Sequence, residues 1–359
     1  MMRVFQLTNG MMSGDAVSNH VLEIDARLRR WGYNTDIFAE YIAPEMETRV
    51  RPDAECADLL KDPNSLLIYH LSIYNPNYRY FLQARGKRIL VYHNITPAHF
   101  FRGWDARLEM QCVLGREALK ELVAVADLSL GDSEYNRQEL VQAGAPLEKT
   151  GVLPIFLSDF GAQPADAAQL RQLTQKNTTN WLTVGRVVPS KGIHDLIRLF
   201  SVYQRAINAD AILYIVGSTG MPAYTDALFK LTQSLGVSDR VVFTGRVSDT
   251  LLTTYYRAAD LYVIASYHEG FCVPAVESMY FGVPVLSRKT TALPETLGDA
   301  GILFTHLGYE PVAEMAHLLV SDSEIRDRVI KKQKEQLQTF NSARVENKLR
   351  QFIDWVNVR

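Results

Sequence analysis

The sequence is poor in cysteine, in long apolar runs and in charge of one sign. Cys56, Cys112 and Cys272 stand too far apart for a zinc knuckle, and their odd number argues against a disulfide framework. No apolar run approaches the roughly 20 residues that span a bilayer. The chain enters a strand-like run at Val4, where a signal peptide would have a different pattern. These absences predict a cytoplasmic protein.

The charge balance excludes one class of partner. With 38 Lys and Arg against 40 Asp and Glu, the chain has no general basic field, so we expect no nucleic-acid partner. Peripheral contact with the inner face of a membrane would have to rely on small basic clusters. The first half contains two such clusters, namely Arg27, Arg29 and Arg30, and then Arg85, Lys87 and Arg88.

The order of apolar runs indicates two domains. A chain of 359 residues exceeds what one compact core usually holds. Strand-like runs alternate with amphipathic helical stretches twice, starting at Val4–Leu7 and again at Trp181–Val184, and the polar stretch Ser158–Asn180 separates the two series as a linker. We predict an α/β protein of two doubly wound, Rossmann-like domains, covering residues 1–157 and 158–341.

Polar residues repeatedly follow the predicted strands. In doubly wound sheets, ligands bind beyond the carboxyl ends of the strands. The polar pairs that mark these ends are Asn9-Gly10, His93-Asn94, Asp132-Ser133, Gly185-Arg186, Gly217-Ser218 and Glu269-Gly270. The sequence therefore predicts a ligand site at these ends, and two such domains would face each other across a cleft.

The most informative segment is Tyr267–Met279. Leu261–Ser266 before it is strand-like, and Pro274 suits the first position of a helix that ends at Phe281. Such a strand, turn and helix directs backbone N–H groups at an anion, while Glu269 and Glu277 can accept hydrogen bonds from hydroxyls. A diphosphate that links a ribose to a sugar satisfies both demands.

The spacing of these residues resembles a known family. Glu269 and Glu277, eight positions apart around Gly-Phe-x-x-Pro, resemble the E-x7-E motif of retaining family 4 glycosyltransferases, which have the GT-B fold. Val184–Gly192 is similar to the phosphate-gripping segment of that family, and Val242–Val247 to its base-binding strand. The segments keep the family's order from about residue 180 to residue 305.

The resemblance implies a domain for each substrate. The N-terminal domain would bind the acceptor and the C-terminal domain the nucleotide sugar, with the final helical stretch, residues 342–359, crossing back onto the first domain. Glu269 would contact the hydroxyls of the donor sugar and Glu277 the ribose. The donor-binding residues implied are Gly14, Gly185, Arg186, Lys191, Val247, Glu269, Gly270, Phe271, Cys272, Val273 and Glu277.

Arg186 and Lys191 form a second constellation. A leaving nucleoside diphosphate gains charge as its glycosidic bond breaks, and an Arg fork with a Lys ammonium stabilises that charge where it develops. Arg186 would lie at a strand end and Lys191 at the start of the helix Gly192–Ala206. The alternative interpretation is that both are ordinary surface cations. With Glu269 and His93, they complete the predicted catalytic set.

The first domain offers fewer candidates. His93 ends an apolar strand, so we expect it to face the cleft, and by resemblance it would lie near the C6 hydroxyl of the transferred sugar. A strand-end histidine bonded to backbone is the alternative. Ser13 stands before Gly14 where the family commonly has paired glycines, so Gly14 either approaches the ligand or simply makes a turn before Asp15. His20, His194 and His317 fall in helical stretches, and we predict that they are surface residues.

No metal or cofactor is expected. The one acidic triplet that resembles a metal clamp, Asp322-Ser323-Glu324, falls between two predicted C-terminal helices, and Asp132-Ser133 is interpreted as a helix cap. A nicotinamide oxidoreductase is disfavoured because neither half contains G-x-G-x-x-G. A sugar-nucleotide epimerase with the same architecture remains the alternative.

The resemblance favours a hexosyltransferase. Its partners would be a nucleotide sugar, with GDP-mannose preferred over UDP-sugars, and a glycan, lipid-linked or small-molecule acceptor. The preference for mannose comes from similarity to bacterial mannosyltransferases of surface-polysaccharide synthesis.

Overall fold

The chain folds into two units. The computed structural model describes residues 2–157, 160, 163–174, 178–305 and 308–358. The first unit comprises Met1–Arg102, Ala106–Ser158 and Phe340–Arg359, and the second comprises Gly103–Asp105 and Asp159–Thr339. Within the described ranges, no helix combines the length and the apolarity needed to cross a membrane.

A parallel sheet forms the centre of the first unit. Its seven strands in the described residues have the order β3-β2-β1-β4-β5-β6-β7. Because β1 lies between β2 and β4, the chain first builds one half of the sheet and then crosses to the other, as a doubly wound fold requires. The strands are β1 Arg3–Met11, β2 Asn34–Ile42, β3 Arg51–Pro52, β4 Ser65–Leu71, β5 Lys87–Tyr92, β6 Leu128–Gly131 and β7 Thr150–Val152.

Helices connect these strands. The first helix begins after Asp15, whose carboxylate accepts from the backbone N–H of Ser18 at 2.9 Å, and this cap fixes the start that the sequence indicates. Tight 3-10 turns take the remaining connections, of which Asp53–Lys61 is the longest. The α-helices of this unit are α1 Ala16–Arg30, α2 Tyr78–Gln83, α3 Ala106–Val125, α4 Glu134–Gln142 and, at the end of the chain, α13 Ser342–Val358.

The C-terminal helix completes the core of the first unit. Val345, Leu349 and Val356 are buried in one cluster with Val4 and Leu28, near the start of the chain. Phe352, on the same helix, packs so closely on β7 that a Cβ added to Gly151 would lie 2.6 Å from its ring. The final helical stretch therefore belongs to the first unit.

The basic cluster of Arg27, Arg29 and Arg30 pairs with other residues of the first unit. Arg27 donates to Ser342 Oγ at 2.6 Å and stacks on Phe156, and Arg30 pairs with Glu346 at 2.5 Å. Arg29 pairs with Asp25 on its own helix at 2.8 Å. Arg27 and Arg30 therefore hold α13 against α1, whereas Arg29 is paired within α1, so each guanidinium of this cluster has a protein partner.

The second unit contains another parallel sheet. Its six strands in the described residues have the order β10-β9-β8-β11-β12-β13. These strands are β8 Asn180–Val184, β9 Ile212–Val216, β10 Val241–Gly245, β11 Leu261–Ile264, β12 Val285–Arg288 and β13 Ile302–Phe304. The predicted α/β class with two Rossmann-like sheets is confirmed.

The second unit has eight α-helices in its described residues. They are α5 Ala167–Thr174, α6 Ile193–Ala206, α7 Pro222–Ser234, α8 Asp249–Ala258, α9 Val273–Tyr280, α10 Leu293–Leu297, α11 Tyr309–Ser321 and α12 Ser323–Leu337. Asp322 caps α12, because its carboxylate accepts from the N–H groups of Glu324 and Ile325. The acidic triplet Asp322-Ser323-Glu324 is thus occupied in starting a helix.

Three local predictions need correction. The stretch Ser158–Asn180 is more than a linker, because α5 forms inside it, while residues 158, 159, 161, 162 and 175–177 lie outside the described residues. The apolar run of residues 283–286 predicts a strand from Val283, but β12 starts at Val285. The Val283 N–H donates to Ser278 O at 3.0 Å and Pro284 has no N–H, so neither residue can donate to the sheet. His20 is wholly buried in the first unit, since it faces the sheet from α1.

Candidate functional site

The loop between β11 and α9 holds Glu269 in a defined place. Both of its carboxylate oxygens accept from Lys191 Nζ at 2.7 Å, and Oε1 also accepts from Ser266 Oγ at 2.7 Å. The side chain is only 7% exposed. A buried carboxylate is tolerated when such charged and hydrogen-bonding partners compensate its desolvation.

Two glycines allow Lys191 to approach this loop. Gly192 follows it in the left-handed region with φ +63°, and a Cβ at this position would lie 2.2 Å from the carbonyl oxygen of Ala265, at the end of β11. Gly217 is similarly tight against Gly185, where a Cβ would come within 1.9 Å of the carbonyl oxygen. The close backbone contacts bring the carboxyl ends of β8, β9 and β11 together.

A small pocket lies at these strand ends. Its lining includes Gly185, Arg186, Lys191, Ser266, Glu269 and Cys272. Arg186 is exposed, and among the described residues it has no ion-pair partner, whereas Lys191 is paired with Glu269. The structure therefore brings together five residues that the sequence analysis selected, namely Gly185, Arg186, Lys191, Glu269 and Cys272, and adds Ser266, which it missed.

The start of α9 has an unusual backbone. Cys272 precedes the helix with φ 72° and ψ 68°, in the left-handed region that glycine adopts without strain. Its thiol is buried, and burial raises its pKa, so it stays protonated at neutral pH. Phe271 is buried beside it, and Gly270 and Val273 are partly buried. What distinguishes position 272 is therefore its backbone conformation rather than the reactivity of its thiol.

Glu277 has a different environment from Glu269. It lies on α9 and accepts from the hydroxyl of Tyr256 at 2.6 Å, and among the described residues it is not part of the pocket lining. Burial raises its pKa to about 7, although the Tyr256 hydrogen bond opposes the shift. Val247, partly exposed, follows β10 after the left-handed Gly245.

This raised pKa predicts that stability depends on pH at Glu277. A raised pKa stabilises the fold fully below the group's unfolded pKa, and this stabilisation is lost as pH rises through about 7. Glu277→Gln has no carboxylate to bury in its charged form. Its melting temperature should therefore exceed that of wild type, and the difference should be larger at about pH 8 than at about pH 5. Thermal unfolding at both pH values measures the difference. Glu314→Gln, an exposed site on α11, is the control, and equal pH behaviour of the two variants would contradict this assignment.

A second carboxylate, that of Asp195, holds the Glu269 loop from outside the pocket lining. Asp195 on α6 accepts hydrogen bonds from the hydroxyls of Tyr267 and Tyr309 and from Arg288, the latter two at 2.9 and 2.8 Å. Burial alone would raise the pKa of Asp195, but these hydrogen bonds hold it below its usual value. Because Tyr267 is two residues before Glu269, Asp195 fixes the loop. Its signal in the sequence is weak, because an acid in the first turn of a helix is common.

His93 lies elsewhere than expected. Its imidazole is 1% exposed, with Nδ1 3.0 Å from Asp132 Oδ2 and Nε2 3.0 Å from His70 Nδ1. The expectation that the ring faces a cleft is wrong for this structure, because both nitrogens are engaged inside the first unit. Asp132 is likewise a partner of His93, and Ser133 alone caps α4.

The histidine cluster was missed by the sequence analysis. His70 Nε2 is 2.9 Å from Gln6 Oε1, and the His20 ring stands at 5.5 Å from that of His93. Burial lowers the pKa of both His20 and His70, so these two rings are neutral at neutral pH. The available signal was His70 itself, a polar residue inside the apolar run of β4.

Gly14 also lies in the first unit. It is exposed with φ +68°, between β1 and α1. The turn-forming alternative fits this conformation, and the N–H groups of Met12 and Ser13 before it bond to Ser18 Oγ and Glu45 Oε1 at 3.1 Å. Among the described residues, no group of three His, Cys, Asp or Glu side chains is arranged to hold a metal ion.

Comparison with known proteins gives this site a context. Residues 167–336 match the family described as glycosyl transferases group 1. The chain is 28% identical to O-antigen chain mannosyltransferase B of Escherichia coli over 210 residues, which are 57% of this chain and 54% of the relative. It is 26% identical to a GDP-mannose-dependent alpha-(1-6)-phosphatidylinositol monomannoside mannosyltransferase of Mycobacterium tuberculosis over 231 residues, or 60% and 58% of the two chains.

The chain spans about half the length of these curated relatives. Among solved structures, HepE of Anabaena in complex with UDP-glucose superposes with a TM-score of 0.77 over 99% of this chain and 100% of that one, at 18% identity. At this identity the likeness concerns the fold, which is GT-B. The match to residues 167–336 contains the whole pocket, from Thr183 to Cys272, so the pocket lies in the part of the chain that is similar to group 1 glycosyl transferases.

Proposed function

We propose that this chain is a retaining hexosyltransferase of family 4 that takes its sugar from a nucleotide sugar. The observation that carries the proposal is the Lys191–Glu269 pair, at 2.7 Å in the pocket of a group 1 domain. In this pair, the ammonium of Lys191 would bind a phosphate, and the adjacent carboxylate of Glu269 would accept hydrogen bonds from sugar hydroxyls.

The proposed roles follow from the chemistry of each side chain. An ammonium has three N–H donors, and Lys191 gives two of its contacts to Glu269, so a donor remains for the diphosphate. Arg186, exposed at the pocket, would bind the same diphosphate in a fork. Both charges would stabilise the leaving group as the glycosidic bond breaks.

The remaining donor contacts complete the proposal. Glu269 would accept from hydroxyls of the transferred hexose, and Glu277, in the E-x7-E arrangement, from the ribose. Backbone groups of residues 270–273 would bind the phosphate or sugar, and Val247 would adjoin the base. His93 has no ring nitrogen available in this structure, so we assign it no direct contact with the sugar.

The donor and partners are proposed on the relatives. Both relatives are mannosyltransferases and one is named as GDP-mannose-dependent, which favours GDP-mannose as the donor, whereas HepE was crystallised with UDP-glucose. The acceptor would be a glycan, free or lipid-linked, or a small molecule, and a lipid-linked acceptor would bring the protein to the membrane surface. We propose that Arg186 and Lys191 neutralise the diphosphate without a metal ion or other cofactor.

One experiment tests the proposed function as a whole. The protein is incubated with GDP-mannose or UDP-sugars and a panel of glycoside acceptors, with EDTA present throughout. We expect transfer to proceed undiminished and the anomeric couplings of the product to show an α-linkage from an α-linked donor, because no separate nucleophilic carboxylate is needed when the leaving phosphate assists on the same face.

The possible outcomes separate the parts of the proposal. A β-linked product would contradict retention, and an α-linked product from a UDP-sugar would contradict only the nucleotide. Recovery of activity solely on adding a divalent metal would contradict metal independence. Conversion of the nucleotide sugar without any acceptor would instead identify an epimerase.

A further inference from the structure

Tyr256 of α8 has a fixed position next to α9. Its ring is 1% exposed and stacks on Phe281, with the ring centroids 5.2 Å apart, and on Tyr262, with the centroids 6.0 Å apart. Its hydroxyl donates to Glu277 Oε2 at 2.6 Å and lies 3.3 Å from Pro274 O, near the start of α9. Burial raises the pKa of this phenol well above its usual value, so the hydroxyl keeps its proton and acts as a donor. Packing of the ring therefore determines where this donor lies.

Glu277 has no cation to balance its charge. Glu269 pairs with Lys191 at 2.7 Å, whereas Glu277 makes no ion pair among the described residues. The charge of Asp249, on α8, acts in the same direction as burial, because both favour the protonated form of Glu277. A hydrogen bond to the carboxylate favours the ionised form, and 2.6 Å is a usual length for a bond from a hydroxyl to a carboxylate. The Tyr256 hydroxyl is therefore the group that stabilises the charged form of Glu277.

The other oxygen of this carboxylate is open to a ligand. Tyr256 contacts Oε2, whereas Oε1 has no hydrogen-bond partner among the described residues, and Glu277 keeps part of its surface exposed. A carboxylate that is held at one oxygen by a buried donor turns less freely, so its second oxygen has a defined direction. An ionised carboxylate only accepts hydrogen bonds, so Oε1 is suited to a hydroxyl group of a ligand.

We propose that Tyr256 is a positioning residue of the donor site, whose hydroxyl holds Glu277 so that Oε1 accepts a hydrogen bond from the ribose of the nucleotide sugar. The inference rests on the proposed function, which assigns the ribose to Glu277 but gives Tyr256 no part. Tyr256 itself does not touch the ligand. It acts through the orientation and the charge of Glu277.

The ribose contact should depend on pH. The titratable groups that face Glu277 are Asp249 and Tyr256 of α8, Tyr262 of β11 and Cys272 before α9. Among the described residues, no charged side chain of α10, α12 or β12, which also pack on α9, shifts its pKa. Burial raises the pKa of both tyrosines and of the thiol, so these groups keep their protons. Glu277, with a pKa of about 7, loses its charge as the pH falls through 7, and the ribose contact should weaken with it.

Binding of nucleoside diphosphates to the full chain, measured by isothermal titration calorimetry, tests this role. The probes are GDP and UDP and their 2′,3′-dideoxy analogues, which lack the ribose hydroxyls. At about pH 8, wild type should bind at least one ribonucleotide at least about tenfold more tightly than its dideoxy analogue. This ribose preference should shrink at about pH 6. Because both members of a pair contain the same diphosphate, the titration of the diphosphate cancels in the ratio.

The variants assign the ribose preference to one hydroxyl. Tyr256→Phe keeps the packed ring, so it should bind the dideoxy analogue as wild type does but the ribonucleotide about tenfold more weakly. Glu277→Gln cannot titrate, and its ribose preference should be the same at both pH values. Tyr255→Phe is the matched control, since Tyr255 precedes Tyr256 on the same helix and its ring packs on Tyr214 at 5.3 Å. Tyr255→Phe should bind both nucleotides as wild type does.

Several results would overturn the inference. They are equal binding of both nucleotides by wild type, a ribose preference of wild type that does not change with pH, and an unchanged ribose preference in Tyr256→Phe. Equal loss of both nucleotides in Tyr256→Phe would also overturn it, because Tyr256 would then support only the fold. Cleavage of the nucleotide sugar, measured separately, reports on the proposed function, and donor cleavage together with any of these results would overturn only this inference. A protein that binds neither ribonucleotide and cleaves no donor would overturn the proposed function itself.

Discussion

Lys191→Ala should lower turnover of the nucleotide sugar by at least about a hundredfold, the scale of a lost transition-state donor. The ammonium contacts both oxygens of Glu269 at 2.7 Å, so its removal also leaves that buried carboxylate with Ser266 as its remaining side-chain partner. Two effects therefore add: the leaving diphosphate loses a cation, and Glu269 loses the charge that holds it in place. Steady-state kcat with the preferred donor is the measurement.

Arg186→Ala separates these two effects. Arg186 is exposed and has no ion-pair partner among the described residues, so its loss should reduce kcat by a similar factor while the melting temperature stays unchanged. Lys230→Ala, on the exposed face of α7, controls for the loss of one positive charge. Near-normal turnover in both Lys191→Ala and Arg186→Ala would refute the proposed anion site.

Gly192→Ala should destabilise the second unit more than the same change at another left-handed glycine. A Cβ at Gly192 would lie 2.2 Å from Ala265 O, which is backbone and cannot rotate away. The left-handed conformation costs about 1–2 kcal/mol for alanine, and overpacking adds roughly 1–3 kcal/mol. Since Ala265 leads into the Glu269 loop, turnover should fall as well.

Gly236 provides the matched control. Its φ of +68° is close to the +63° of Gly192, but nothing lies within 4 Å of an added Cβ. Gly236→Ala should therefore show only the conformational penalty and full turnover. Urea denaturation of both variants measures the difference in the free energy of unfolding, and equal losses would show that the contact with Ala265 relaxes at no cost.

Much of the fold was predictable because local chemistry and the tertiary structure agree. Asp15 predicts the start of α1 as a capping residue, and Gly282 takes the left-handed conformation, φ 70°, that its place after α9 indicates. The alternation of apolar runs and helical stretches similarly predicts two parallel sheets. In each case, the prediction depends only on residues that are close together in the sequence.

The site was predictable only in part, because its geometry depends on residues far apart in sequence. Lys191 and Glu269 are 78 positions apart, and sequence order alone places each at a strand end without showing that they form an ion pair. His93 was misplaced for the same reason, since Asp132 and His70, 39 and 23 positions away, decide where its ring points. Asp195 was overlooked because its partners Tyr267, Arg288 and Tyr309 come from three later segments.

The contribution of α13 to the first unit has a consequence for synthesis on the ribosome. Domains generally fold as they emerge, the N-terminal one first. Here the cluster that contains Val4 and Leu28 also needs Val345, Leu349, Ile353 and Val356. The sheet translated first must therefore wait, with part of its apolar surface uncovered, while the continuous segment Asp159–Thr339 can fold as soon as it is released. The first unit is therefore synthesised first, but it can complete its core only after α13 has been synthesised.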